Sequence, residues 1–298
     1  MERTELTTET RNQATAHLDT MTALEVVTIM NQEDATVPRA IKRVLPQIAK
    51  AVETTAAHLA NGGRMFYVGA GTSGRIGALD ASESTPTFGI PAEMVQFLIA
   101  GGPQAVVKPA EACEDSREQG RRDMAAKKPG KRDVVVGIAA SGYTPYTISA
   151  IEYARRKGAA TIAITCNDGS DLGKAAALAI EVDVGPEVLT GSSRLKAGTA
   201  QKLICNMLTT GTMAQLGYVY SNLMVNMHVK NAKLLERGRS IVETLAHIDR
   251  DAAAQALERA DMSVPLALVM LKADVSKSEA KRRLRQAKGN VRKAIASH

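Results

Sequence analysis

A chain of 298 residues can bury a substantial core, its 45% apolar content is that of a folded protein, and no apolar run reaches membrane-spanning length. Only 3% of residues are aromatic and none is Trp, which argues mildly against a stacking platform for bases or sugar rings. The formal charge of +7 is concentrated between Lys272 and His298, where nine basic residues face only Asp274 and Glu279. Without interleaved aromatics this basic stretch reads as a solvated helical surface, and nucleic acid is not an expected partner. The opening Glu2-Arg3-Thr4-Glu5 lacks the pattern of a signal peptide, and Cys113, Cys166 and Cys205 are few and far apart, so a cytoplasmic location is expected.

Residues 1–36 are polar, with a short apolar pattern at Leu24, Val27 and Met30. Val37-Pro38 opens a helical stretch with Ile41, Val44, Leu45, Ile48 and Val52 on one face, and Pro46 predicts a kink or break inside it. Asn61-Gly62-Gly63 then feeds the first of five predicted strands, at 65–68, 95–99, 134–138, 160–165 and 178–184. Helices are expected near 74–81, 116–126, 145–157 and 170–176. This alternation defines an α/β fold with a mostly parallel sheet flanked by helices, in which ligands collect beyond the carboxyl ends of the strands. After Gly185-Pro186-Glu187, a long Met-rich helical stretch runs from about Arg194 to Val229. Packing inside the chain and packing against another subunit satisfy its pattern equally. From about 249 onward three or four short helices are expected, with Ala280, Leu284, Ala287, Val291 and Ile295 forming an apolar stripe. The expected domains are an N-terminal helical segment (1–54), a ligand-binding α/β body (55–248) and a small basic helical bundle (249–298).

Two turns carry the chemistry. Gly69-Ala70-Gly71-Thr72-Ser73-Gly74-Arg75 follows the first strand, and Ala140-Ser141-Gly142-Tyr143-Thr144 follows the third. A strand that turns abruptly into a helix presents unpaired backbone N–H groups, which suit an anion. Ser73, Ser141 and Thr144 add hydroxyl donors beside them, with Thr72, Gly142 and Arg75 as supporting candidates. Ser192 and Lys196, at a third helix start, offer a further anion-facing surface. The first turn also satisfies the G-x-G-x-x-G spacing, but the following strand, Phe97-Leu98-Ile99, leads into Ala100-Gly101-Gly102 with no carboxylate for a nicotinamide ribose. The Gly-Lys-Ser/Thr ending of a nucleotide P-loop is missing as well. A small molecule carrying one phosphate fits these turns better than a nucleotide. The histidines His17, His58, His228, His247 and His298 are dispersed, and neither they nor the cysteines show metal-ligand spacing.

These stretches, together with Asp80-Ala81-Ser82-Glu83, Glu114-Asp115-Ser116-Arg117-Glu118, Val135-Val136-Gly137-Ile138-Ala139-Ala140-Ser141-Gly142 and Thr190 to Lys202, resemble the N-acetylmuramic acid 6-phosphate etherases of the sugar isomerase (SIS) fold family. The resemblance runs over nearly the whole chain. It implies a SIS-type catalytic body, a UBA-like C-terminal bundle, a homodimer, a sugar-phosphate substrate drawn from cell-wall amino sugar, and no cofactor or metal. It also implies an active-site acid at Glu83 and a second catalytic role at Glu114; by spacing alone each reads equally well as a solvated carboxylate. The implied reaction removes the C3 lactyl ether by elimination and hydration, with Glu114 as the provisional C2 base and the two roles open to exchange. A SIS sugar-phosphate isomerase and a noncatalytic sugar-phosphate sensor are the alternative functions on the same fold.

Overall fold

A computed structural model describes residues 6–108, 110–227 and 232–297. The Glu2–Glu5 opening, His228, His298 and the far end of the stretch expected to reach Val229 lie outside the described residues. The chain forms two compact units, Met1–Ser82 with Ala92–Thr209, and Glu83–Pro91 with Thr210–His298. The boundaries between them fall after Ser82, Pro91 and Thr209.

The first unit begins with short 3-10 turns and then α1 (Ala23–Asp34), whose start is fixed by a reciprocal capping box between Thr22 and Glu25. The expected disturbance at Pro46 is a clean break. Helix α2 (Val37–Arg43) ends at Val44, and α3 (Leu45–Ala60) begins with Pro46 in its first turn, where a missing N–H costs nothing. Five strands follow: β1 (Met65–Gly69), β2 (Val95–Ile99), β3 (Val134–Ile138), β4 (Ala160–Thr165) and β5 (Leu178–Glu181). All pair in parallel in the order β2-β1-β3-β4-β5. Every residue of β1 and β3 is buried, which is why both read as unbroken apolar runs and not as alternating ones.

The crossover helices are α4 (Gly71–Phe88), α5 (Arg117–Ala126), α6 (Pro145–Arg156) and α7 (Asp171–Ala175), and α8 (Lys196–Leu216) follows the sheet. Phe66, Val68, Val135, Tyr146, Ile148 and Ile151 belong to one buried cluster between sheet and helices. At the amino ends of the strands, Asp133 accepts from Arg64 N at 2.9 Å, Arg64 Nη2 at 2.8 Å and Gly130 N at 3.0 Å. That clamp fixes β1 beside β3 at the end opposite their turns.

The second unit contains α9 (Ala232–Ala246), α10 (Arg250–Arg259), α11 (Val264–Lys272), α12 (Lys277–Gln286) and α13 (Val291–Ala296). Val264, Leu266, Leu268 and Val269 of α11 are buried in its core together with Ala280 and Val291 of the expected stripe. Lys277 and Lys281 pair with Asp261, while Arg282 and Arg283 pair with Glu279, whose carboxyl they hold down at about 2. Such exposed pairs fit a solvated basic face and add little stability. No helix among the described residues is long and apolar enough to cross a membrane.

Candidate active site

The strand order reverses between β1 and β3, the position where doubly wound sheets open a crevice for ligands. A cleft of about 630 Å³ lies there. Gly71, Thr72, Ser73 and Arg75 line it from the first turn of α4, and Ala140, Ser141 and Thr144 line it from the β3–α6 turn. Glu114 and Asp115, just before α5, form another wall. A neighbouring hollow of about 530 Å³ shares Glu114, Asp115, Ser141 and Thr144 and adds Tyr143.

The two turns bring their donors in by different means. The first N–H groups of α4 have no carbonyl one turn earlier in the helix, so they face the cleft with the positive end of the helix dipole. Ser73 donates its hydroxyl proton to Gln201 Oε1 at 3.0 Å, so its backbone N–H is its immediate contribution to an anion. The Ser141 hydroxyl oxygen instead accepts from Tyr143 N at 3.2 Å, which leaves its proton to donate. Thr144 precedes α6 without spending its side chain on the helix cap. Gly142 makes this turn possible. Its φ is +77°, and a Cβ there would stand 2.3 Å from Ser170 Cβ, so it shapes the loop but does not line the cleft.

Glu114 is placed from both sides. Its carbonyl accepts from Tyr146 N at 3.0 Å, tying it to the start of α6. Its Oε1 lies 3.3 Å from where a Cβ on Gly71 would be, against the first turn of α4. Arg75 lines the cleft, yet its Nε donates to Val106 O at 2.9 Å and holds the loop after β2.

The third anion surface expected at Ser192 and Lys196 is corrected by the geometry. Glu187 is fully buried, and its two carboxylate oxygens accept from Lys196 N and Ala197 N at 2.9 Å each. The start of α8 is therefore already occupied by a protein carboxylate. Burial raises the Glu187 pKa, while those N–H groups and the Lys196 charge oppose the rise. The Lys196 ammonium, 2% exposed, bonds Glu33 Oε2 at 2.6 Å and faces a separate cleft. Gly191 and Ser193 line the main cleft in place of Ser192.

Glu83 is also not among the lining residues. It does not follow the helix begun by the first turn but lies within α4, exposed, and twelve residues beyond Gly71 put it about 18 Å along the axis. Asp80, one turn earlier, has a structural task. Its carboxylate accepts from Tyr67 Oη at 2.8 Å and Asn206 Nδ2 at 2.7 Å, pinning α4 to β1 and α8, and burial raises its pKa. Sequence reasoning passed over Thr8 and Glu9, which reach the cleft from the N-terminal segment, and also Asp115, Gly191 and Ser193. Asp115 and Ser193 adjoin residues already singled out. Glu9 carried no local signal.

The parallel sheet, with its cleft at the switch point, belongs to a SIS-type protein. The SIS domain model matches residues 114–211, and the glucokinase regulatory protein N-terminal SIS domain matches residues 47–155. Among solved structures, a Bacteroides fragilis protein described as a phosphosugar isomerase involved in capsule formation superposes with a TM-score of 0.53 at 20% identity, covering 70% of this chain and 98% of its own. A phosphoheptose isomerase from Neisseria gonorrhoeae gives 0.50 at 19% identity, covering 65% and 100%. N-acetylmuramic acid 6-phosphate etherases are far more similar in sequence. That of Oenococcus oeni is 51% identical over 99% of both chains, and that of Symbiobacterium thermophilum 55% identical over 92% of this chain and 91% of its own. The chain belongs to the N-acetylmuramic acid 6-phosphate etherase family.

Proposed function

We propose that this chain is a lyase that cleaves the C3 lactyl ether of N-acetylmuramic acid 6-phosphate, giving N-acetylglucosamine 6-phosphate and D-lactate. The observation that carries the reading is a carboxylate, Glu114, set against the first turn of α4 in the cleft that Ser141 and Thr144 also line. The name shared by relatives that match nearly the whole chain supports it.

Direct displacement by water at a secondary ether carbon is slow. Opening the sugar exposes a C1 aldehyde, which acidifies the C2 proton. Glu114 takes that proton as general base, and an acid protonates the C3 oxygen as lactate leaves. The product is an aldehyde conjugated to a C2–C3 double bond, to which water adds at C3 before the ring closes. The phosphate is held by the N–H groups of Thr72 and Ser73 and by the Ser141 and Thr144 hydroxyls, with Gly142 shaping their turn. Glu83 is assigned the acid that serves the C3 oxygen and then activates the incoming water. In this reading the protein is a homodimer in which a second copy brings Glu83 to the sugar. Three unpaired cysteines fit a cytoplasmic setting.

Purified protein incubated with the muramic acid phosphate is expected to release both products. Solvent deuterium exchange at C2 separates the two acids: Glu114→Ala abolishes it, whereas Glu83→Ala keeps it while losing lactate release. Exchange that survives Glu114 removal would sink the base assignment.

A further inference from the structure

The N-terminal segment is pinned across one side of the cleft. Leu6 and Thr8 are 4% and 1% exposed. Thr8 Oγ1 accepts from Asn167 Nδ2 at 3.1 Å, and the same amide donates to Ala140 O at 3.2 Å and Ser141 O at 3.4 Å. One side chain thus ties the segment to the β3–α6 turn. Farther on, Asn12, 6% exposed, donates to Pro186 O at 3.4 Å. Between these anchors Glu9 stays exposed and lines both the cleft and its neighbouring hollow, in company with Glu114 and Asp115. Its Oε2 lies 3.3 Å from the position a Cβ would take on Gly191, whose φ of +76° also disfavours a side chain. Among the described residues its carboxylate has no hydrogen-bond partner.

A solvated surface carboxylate does not require a buried segment to carry it to a binding cleft. An ionised carboxylate only accepts hydrogen bonds, so it repels the phosphate and recognises donors, which on an amino sugar are hydroxyls and the acetamido N–H. We infer that Glu9 is a substrate-orienting residue that accepts a hydrogen bond from a donor on the sugar and sets the ring's direction relative to the phosphate turns. This rests on the sugar-phosphate reading above and names a contact which that reading lacks.

The test compares Glu9→Ala and Glu9→Gln with the unaltered protein. Loss of a hydrogen bond to a charged group is expected to raise KM for the muramic acid phosphate roughly 10- to 100-fold in Glu9→Ala. Glu9→Gln, whose amide oxygen still accepts, is expected to fall between, and neither change should move the melting temperature of the free protein. Thermal shift gives a readout independent of turnover. N-acetylglucosamine 6-phosphate should stabilise the unaltered protein more than inorganic phosphate does, and Glu9→Ala should lose that excess while keeping the phosphate shift. If glucose 6-phosphate gives the same excess, the donor is a hydroxyl; if the acetamido group is required, it is the N–H. Loss of the excess in a protein that releases no lactate would overturn the etherase reading and leave Glu9 standing. A folded Glu9→Ala protein with unchanged KM and the full excess would overturn the proposal, as would equal shifts from the two ligands in the unaltered protein.

Discussion

Ser141 and Lys196 were both candidates for holding the phosphate, and their hydrogen bonds separate them. Ser141 uses its oxygen as an acceptor and keeps its proton for the cleft. Ser141→Ala removes one charge-assisted donor, so KM for the sugar phosphate should rise roughly 10- to 100-fold with a smaller change in kcat. Steady-state kinetics on the folded variant check this. Lys196 spends its ammonium on Glu33 and its backbone N–H on Glu187. Lys196→Ala leaves the Glu33 carboxylate unpaired, a loss of about 2–3 kcal/mol once the partial exposure of Glu33 is set against the fully buried case. Denaturant unfolding should register the loss, while stabilisation of the variant by inorganic phosphate should match that of the unaltered protein. A phosphate effect lost in step with stability would return Lys196 to the anion site.

At the scale of elements, β1 and β3 must stay in register for their turns to line one cleft. Asp133 sits at the opposite end of the two strands and holds them there. Burial works against its charge, but the Arg64 side chain and the backbone N–H groups of Arg64 and Gly130 outweigh it, so its pKa is lowered. A lowered carboxyl pKa contributes stability that is complete above the unfolded value of 3.8 and fades as pH falls through the folded one. Asp133→Asn should therefore cost about 1–2 kcal/mol at neutral pH, with the partly exposed Arg64 discounting the upper figure. Urea unfolding across pH should show the gap to the unaltered protein closing in acid below 3.8.

The five strands were legible because a sheet covered on both faces writes itself as apolar runs bounded by Gly and polar residues, and the break at Pro46 was legible from its missing N–H. Less could be read where tertiary contacts decide. Helix α4 continues through Ser82, Glu83, Ser84 and Thr85 to Phe88, a polar stretch without apolar periodicity that contains Pro86. Strand β5 stops at Glu181, whose carboxylate turns aside to accept from Gly169 N and Ser170 N at 3.1 Å each. The turns that line the cleft were visible in the glycine and hydroxyl pattern after two strands. Glu9 was not, because only folding carries it to turns more than sixty residues away, and no spacing rule reaches that far. The Glu187 carboxylate at the start of α8 was hidden for a related reason: a Glu nine residues ahead of a helix matches no capping pattern.

For the whole molecule, the proposed two-fold assembly assigns Glu114 and the turns that line the cleft to one chain and Glu83 to its partner. Two inactive variants should then complement each other. In a two-fold dimer of mixed Glu83→Ala and Glu114→Ala chains, half the dimers are hybrid and each hybrid has one intact site, so activity should recover to about one quarter of the unaltered level. Unfolding and refolding the two proteins together, then assaying lactate, checks this; no recovery after confirmed mixing would place both carboxylates on one chain's sugar. The most direct test of the chemistry is turnover of N-acetylmuramic acid 6-phosphate in water labelled with oxygen-18, with both products weighed by mass spectrometry. Elimination followed by hydration puts the label on C3 of N-acetylglucosamine 6-phosphate and leaves lactate with its original ether oxygen. Label found in lactate would mean that water attacks the lactyl carbon, and it would contradict an elimination at C2 and C3.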